Sequence, residues 1–234
     1  MENKKTIIIT GTRKGIGRYL SEFYLKKGFN VIGCSRRDTD LKDEHYEHFC
    51  LDVSDEKLVK KMIFSVSKRY KKIDYLINNA GIASMNHSLL TPLSSVEKMF
   101  KTNVFGTFIF CRETAKIMTK NNFGRIVNFS TVGVPFRLEG EAIYTASKAA
   151  VEMLTKVLAK EFAFKNITVN AVGPTPAKTD LIRNIPESKI NKLLERQAIN
   201  ALSTNEDITN VIEFFINDKS SMVTGQTIYL GGIS

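Results

Sequence analysis

The chain has 234 residues, 43% hydrophobic and 25% charged, with a formal net charge of +10. That composition supports a buried core and excludes a chain disordered from end to end, and no apolar run reaches the roughly 18 residues of a membrane-spanning helix. The lysines come in scattered pairs such as Lys26-Lys27 and Lys60-Lys61, which suits solvated helix faces and argues against nucleic acid as the main partner.

The predicted elements alternate along the chain. A strand over Thr6 to Thr10 leads into a glycine-rich turn, Gly11 to Gly17, and then a helix through Lys27 with Ile16, Leu20, Phe23, Tyr24 and Leu25 as its apolar positions. A second strand covers Asn30 to Ser35, and a third lies near His48 to Leu51. Ser54 is the expected N-cap of a helix from Asp55 to about Tyr70. The strand Ile73 to Ile77 runs into Asn78-Asn79-Ala80-Gly81, a long helix is expected over Ser94 to Thr119, and Arg125 to Phe129 is a strand. A helix from about Ile143 to Phe164, a strand Thr168 to Val172, helical segments near Glu187–Gln197 and Glu206–Asn217, and a last strand Thr227 to Leu230 complete the series. About seven apolar strands joined by helices imply one α/β domain spanning residues 1–234, a doubly wound, Rossmann-type parallel sheet with helices on both faces.

Strand, glycine turn and helix form the phosphate-binding arrangement of such folds, because glycines let backbone approach a pyrophosphate and the helix N-terminus offers free N–H groups. The spacing is Thr10-Gly11-Thr12-Arg13-Lys14-Gly15-Ile16-Gly17 rather than G-x-G-x-x-G, and no Lys-Ser/Thr follows a glycine as a P-loop requires. After the second strand the chain reads Cys34-Ser35-Arg36-Arg37, with no carboxylate before Asp38. An acidic side chain there binds the ribose 2′-hydroxyl of NAD, whereas an arginine pairs with the 2′-phosphate of NADP. Arg36, with Arg13 closing from the turn, therefore points to NADPH over NADH.

Together with Asp52-Val53, Asn78 to Gly81, Asn103, Tyr144-x-x-x-Lys148 and the Pro174 to Asp180 stretch, the glycine turn resembles the motifs of the short-chain dehydrogenases/reductases, in order and along nearly the whole chain. The resemblance implies that Asp52 and Val53 hold the adenine and that Asn79, Ala80 and Gly81 pack against its ribose. Pro174, Thr175 and Thr179 would contact the nicotinamide and phosphates, with Thr175 replacing the family's usual glycine and tightening that pocket. Tyr144 is the implied proton donor. Lys148, four residues on and so on the same helix face, is expected to lower the phenol's pKa by its charge and to bond the nicotinamide ribose. Asn103 is expected to hold a water that feeds protons to Lys148. The family's serine, 13 residues before the tyrosine, becomes Thr131; Ser130 is expected to face the other side of the strand.

The resulting expectation is an NADPH-preferring reductase of a ketone or 3-oxo group, with a 3-oxoacyl thioester on an acidic carrier protein as a substrate suited to the basic charge. The alternatives are a sugar or polyol dehydrogenase and, from another class, a non-catalytic dinucleotide sensor, which would not need Asn103, Tyr144 and Lys148. Family resemblance suggests a homo-oligomer, tetramer or dimer, built through the long helices. The N-terminus shows no secretory signal, and Cys34, Cys50 and Cys111 form no CxxC pair, so a cytoplasmic protein is expected. His45, His48 and His87 are dispersed and suggest neither a metal site nor a catalytic role.

Overall fold

The computed structural model describes residues 4–176, 191 and 193–232. Seven parallel strands form one sheet: β1 (Thr6–Thr10), β2 (Asn30–Ser35), β3 (Tyr46–Cys50), β4 (Tyr75–Asn78), β5 (Gly124–Phe129), β6 (Ile167–Gly173) and β7 (Thr227–Tyr229). Their order is β3-β2-β1-β4-β5-β6-β7, so the winding reverses between β1 and β4. Among the described residues the helices include α1 (Gly15–Lys26), α2 (Glu56–Tyr70), α3 (Leu93–Phe100), α4 (Gly106–Asn121), a single turn α5 (Gly133–Phe136), α6 (Ala142–Phe162) and α7 (Asn205–Ile216). The doubly wound architecture read from the sequence is the one observed.

Side chains alternate faces along each strand, and that alternation builds two cores. Ile8, Ile32, Leu76, Ile126 and Val169 stand in register across five strands and pack under α2, α4 and α6. Ile7, Ile9, Val31, Ile77 and Val127 face the other way, against Leu20 and Tyr24 of α1 and Ile208, Ile212 and Phe215 of α7. One rank further, Asn78 Nδ2 donates to Asn128 Oδ1 at 2.9 Å, and Asn128 Nδ2 to Thr155 Oγ1 at 2.9 Å. Polar side chains thus hydrogen-bond across the middle of an apolar sheet.

Three local expectations change. β3 begins two residues earlier than expected. The N-cap of α2 is Asp55, which accepts from the Leu58 N–H, because the Ser54 hydroxyl is already donated to Asp52 Oδ1. The long helix expected over 94–119 is broken at Lys101–Phe105 by a π-helical turn, in which the Gly106 N–H reaches back five residues to the Lys101 carbonyl. π-turns of this kind are frequent at functional positions, and this one carries the fully buried Asn103. The expected helix over 187–197 falls partly outside the described residues.

Candidate active site

In open parallel sheets the ligand crevice lies beyond the C-terminal strand ends where the winding reverses, here between the turns after β1 and β4. A cleft of about 1370 Å³ occupies that place, larger than the roughly 300–1,000 Å³ of ordinary small-ligand pockets. Gly11 and Gly15 adopt φ of +77° and +62°, the left-handed region that glycine enters without strain. The N-terminal turn of α1 has no capping side chain and no acidic residue, which leaves the positive end of the helix dipole for an anion. Gly11, Arg13, Gly15 and Ile16 line the cleft, and so does Lys14, which the motif did not single out.

Two members of the glycine turn serve packing instead. Thr12 is fully buried and turned away from the cleft, its hydroxyl 2.9 Å from the Tyr46 Oη and its N–H donated to the Cys34 carbonyl. That corrects its assignment to cofactor contact. Gly17 lies beneath the turn, where an added Cβ would stand 2.3 Å from the Gly11 carbonyl oxygen. Its smallness lets α1 approach β1.

Beyond β2, Ser35, Arg36 and Arg37 line the same end of the cleft. Asp52 and Val53 line its wall, and Asp52 Oδ1 accepts from both the N–H and the hydroxyl of Ser54. Asn79, Ala80 and Gly81 form the floor. Asn79 Nδ2 donates to the Thr10 carbonyl at 2.8 Å and the Ala80 N–H to Thr10 Oγ1 at 2.9 Å, so this turn clamps the end of β1 besides facing the cleft. Strain-free glycines, an uncapped helix N-terminus and arginines at the far end fit a phosphorylated dinucleotide.

At the other end, α6 begins beside the cleft and carries Tyr144 and Lys148 on its facing side, both in the cleft wall. Thr131 also lines the cleft; its hydroxyl hydrogen-bonds the Tyr144 phenol and accepts from the Gly133 N–H. Ser130 reaches the lining too, but its hydroxyl donates to the buried Glu152 carboxylate, which also accepts from Tyr229 Oη at 2.7 Å. The two neighbouring hydroxyls therefore have separate partners.

The electrostatics overturn one expectation. Burial and the Glu141 carboxylate push the Tyr144 phenol up to about 12, and only the Thr131 hydrogen bond pulls it back. Burial brings Lys148 itself down to about 8, and its ammonium donates to the Phe129 carbonyl at 2.8 Å. Asn103 departs as well. Its Oδ1 accepts from the Ile82 N–H, and its Nδ2 donates to the Ile82 carbonyl and to Ser147 Oγ. Its side chain therefore pins the segment after Gly81 first of all, although a Cβ built on Gly81 would lie 3.4 Å from both Asn103 Oδ1 and Lys148 Nζ. The space over Gly81 is thus where those two groups converge.

Pro174 and Thr175 lie in the lining, with the Thr175 hydroxyl 2.7 Å from Ser203 Oγ and also accepting from the Ser203 N–H. Thr179 lies outside the described residues. Sequence reasoning passed over Arg37, Glu141 and an apolar wall that includes Ile82, Met85, Leu138 and Leu193. Arg37 stood beside Arg36 and was legible; the others are placed by loops whose paths no local pattern states.

A family model described as Enoyl-(Acyl carrier protein) reductase matches residues 11–233. The chain is 34% identical over 236 residues to 3-oxoacyl-[acyl-carrier-protein] reductase FabG of Buchnera aphidicola subsp. Schizaphis graminum, covering 98% of this chain and 96% of that protein. Among solved structures it resembles ElxO with NADP bound, with a TM-score of 0.89, 30% identity and 97% of each chain covered. It also resembles 4-hydroxyisoleucine dehydrogenase complexed with NADH, with a TM-score of 0.87, 28% identity and 98% of each chain covered.

Proposed function

The chain belongs to the short-chain dehydrogenase/reductase family and is an NAD(P)-dependent oxidoreductase acting on CH–OH groups, and from that premise we propose that it reduces a ketone or 3-oxo group with NADPH as its preferred cofactor. The observation that carries the cofactor choice is the end of β2. Arg36 and Arg37 line the cleft there, Arg13 approaches from the glycine turn, and no carboxylate stands directly after the strand. Two guanidinium groups meet a 2′-phosphate with charge-assisted hydrogen bonds that a ribose hydroxyl cannot match.

When bound, the cofactor supplies the hydride that adds to the carbonyl carbon. Tyr144, held protonated at neutral pH by its raised pKa, gives its proton to the carbonyl oxygen and completes the alcohol. Thr131 donates its hydroxyl to the same oxygen as negative charge builds on it, a contribution that strengthens toward the transition state. Lys148, whose buried ammonium donates to the Phe129 carbonyl, bonds the nicotinamide ribose, while Asn103 holds the Ile82 backbone that closes the floor. Hydrogens balance: one hydride and one proton convert C=O to CH–OH.

A 3-oxoacyl thioester on an acidic carrier protein is the substrate class favoured by the basic chain and by the FabG relative's name. The exposed Phe108, Met153 and Val157 on α4 and α6 support assembly as a tetramer or dimer through those helices. Following cofactor consumption against 3-oxoacyl thioesters, simple ketones and aldoses tests the proposal. NADPH with a 3-oxoacyl thioester is expected to be fastest, and Tyr144→Phe to keep NADPH binding while losing all but about a hundredth of turnover. Aldose oxidation outpacing every reduction makes the protein a sugar dehydrogenase, and equal rates with NADH remove the cofactor preference.

A further inference from the structure

Behind the arginine end of the cleft a chain of polar side chains links the turn after β1, the end of β2 and the strand β3. Thr12 Oγ1 lies 2.9 Å from Tyr46 Oη, Tyr46 Oη lies 2.9 Å from His48 Nδ1, and His48 Nε2 lies 3.1 Å from Ser35 Oγ and 3.2 Å from the Arg37 carbonyl. The Ser35 hydroxyl itself donates to that carbonyl. Room for the chain exists because residue 33 is glycine: a Cβ there would stand 2.2 Å from Tyr46 Oη and 2.4 Å from Thr12 Oγ1.

The proton positions on the ring follow from its partners. A carbonyl only accepts, so Nε2 carries the proton and donates to Arg37. Burial lowers the His48 pKa against the raising influence of the Arg37 carbonyl and Asp38, with Lys42 lowering it further. The ring is therefore neutral near pH 7, and Nδ1 is left to accept from a neighbouring hydroxyl. His48 is thus a directed brace, hydroxyls on one nitrogen and the arginine loop on the other.

The rest of that loop is held independently. Arg18 of α1 donates to Thr39 Oγ1 at 3.2 Å and pairs with Asp40. Arg36 and Arg37 are themselves exposed, and a long exposed side chain meets a phosphate well only if its own backbone is fixed.

We propose that His48 is a positioning residue for cofactor choice: donation from its Nε2 to the Arg37 carbonyl holds the Ser35–Arg37 backbone so that Arg36 and Arg37 engage the 2′-phosphate of NADPH. This rests on the NADPH preference proposed above. NADH lacks that phosphate, so His48 contributes to binding one dinucleotide and little to the other.

Dissociation constants for NADPH and NADH, read from the fluorescence of the reduced cofactor, test it on wild type, His48→Ala, His48→Phe, His48→Gln and Arg36→Asp. Phe keeps the ring's packing without a donor, whereas the Gln amide nitrogen falls where Nε2 does. His48→Ala and His48→Phe are expected to weaken NADPH about tenfold and to leave NADH within about twofold, with His48→Gln recovering most of the loss. Equal weakening of both cofactors overturns the proposal, because His48 then supports the glycine turn through Thr12 and not the phosphate. A Gln variant no better than Phe overturns it also, since the donor would be irrelevant. Arg36→Asp separates the two levels: an unchanged NADPH-to-NADH ratio there removes the cofactor preference itself, whereas a ratio changed by Arg36→Asp but not by His48→Ala removes only the role of His48.

Discussion

Tyr144 and Lys148 sit one helical turn apart, yet their pKa values move in opposite senses for the same reason. Burial disfavours charge, so it raises the phenol to about 12 and lowers the ammonium to about 8. The sign has a consequence for activity. Lys148 loses its proton as pH rises through about 8, while Tyr144 stays protonated and able to donate throughout the neutral range. kcat/KM for carbonyl reduction, which reports the free enzyme, is expected to be level near pH 7 and to fall about tenfold per unit well above the Lys148 pKa. A pH profile checks this, and Lys148→Arg, with a guanidinium that keeps its proton, should move the falling limb upward. A wild-type limb that begins only above about 10, the ordinary lysine value, contradicts the buried ammonium. A second residue-scale prediction concerns the pair after β5. Thr131→Ala is expected to lower kcat by about a hundredfold, as loss of an oxyanion donor does, while Thr131→Ser retains most activity. Ser130→Ala breaks a bond to Glu152 and should appear mainly in the melting temperature. Steady-state kinetics on one ketone separates the three variants, and a crippled Ser130→Ala with a mild Thr131→Ala would transfer the role to Ser130.

Elements position these residues through close approaches that glycine permits. The β1–α1 turn depends on Gly17, whose hypothetical Cβ meets a backbone oxygen that cannot move aside. Gly17→Ala is expected to cost about 1–3 kcal/mol by overpacking and to weaken NADPH and NADH alike, unlike a change at Arg36 or His48. Thermal unfolding and cofactor titration read both effects; unaltered binding of either dinucleotide would separate this turn from the cofactor. The same scale shows where sequence patterns run short. Ser54 has the right residue type for an N-cap, but Asp52 takes its hydroxyl, so the cap passes to Asp55. The sequence also reads as helix across Lys101–Phe105, and nothing in the local pattern marks the π-turn that holds Asn103.

For the whole molecule the distinctive quantity is the net charge of +10. Attraction of an acidic carrier is screened as the Debye length shortens from about 30 Å at 0.01 M salt to about 8 Å at 0.15 M. kcat/KM for a carrier-bound 3-oxoacyl substrate is expected to fall about tenfold across that range, with the same acyl group on a small neutral thiol changing by less than about twofold. Parallel slopes for the two substrates would remove the carrier as a partner. At this scale the fold was legible from the amino-acid sequence: runs such as Ile7-Ile8-Ile9, each bounded by turn residues and followed by an amphipathic helix, can be buried on both faces only in a parallel sheet. The glycine turn, Arg36 and the Tyr144–Lys148 pair were legible as well, because their chemistry is written in spacings of a few residues along one element. Tertiary structure alone decided that Thr12 turns away from the cleft, that Asn103 braces Ile82, that Tyr144 and Lys148 shift apart and that His48 reaches Arg37. Each of these depends on burial or on contact between residues distant in sequence, and desolvation and through-space hydrogen bonding are set by what packs from the other elements, which local spacing does not specify.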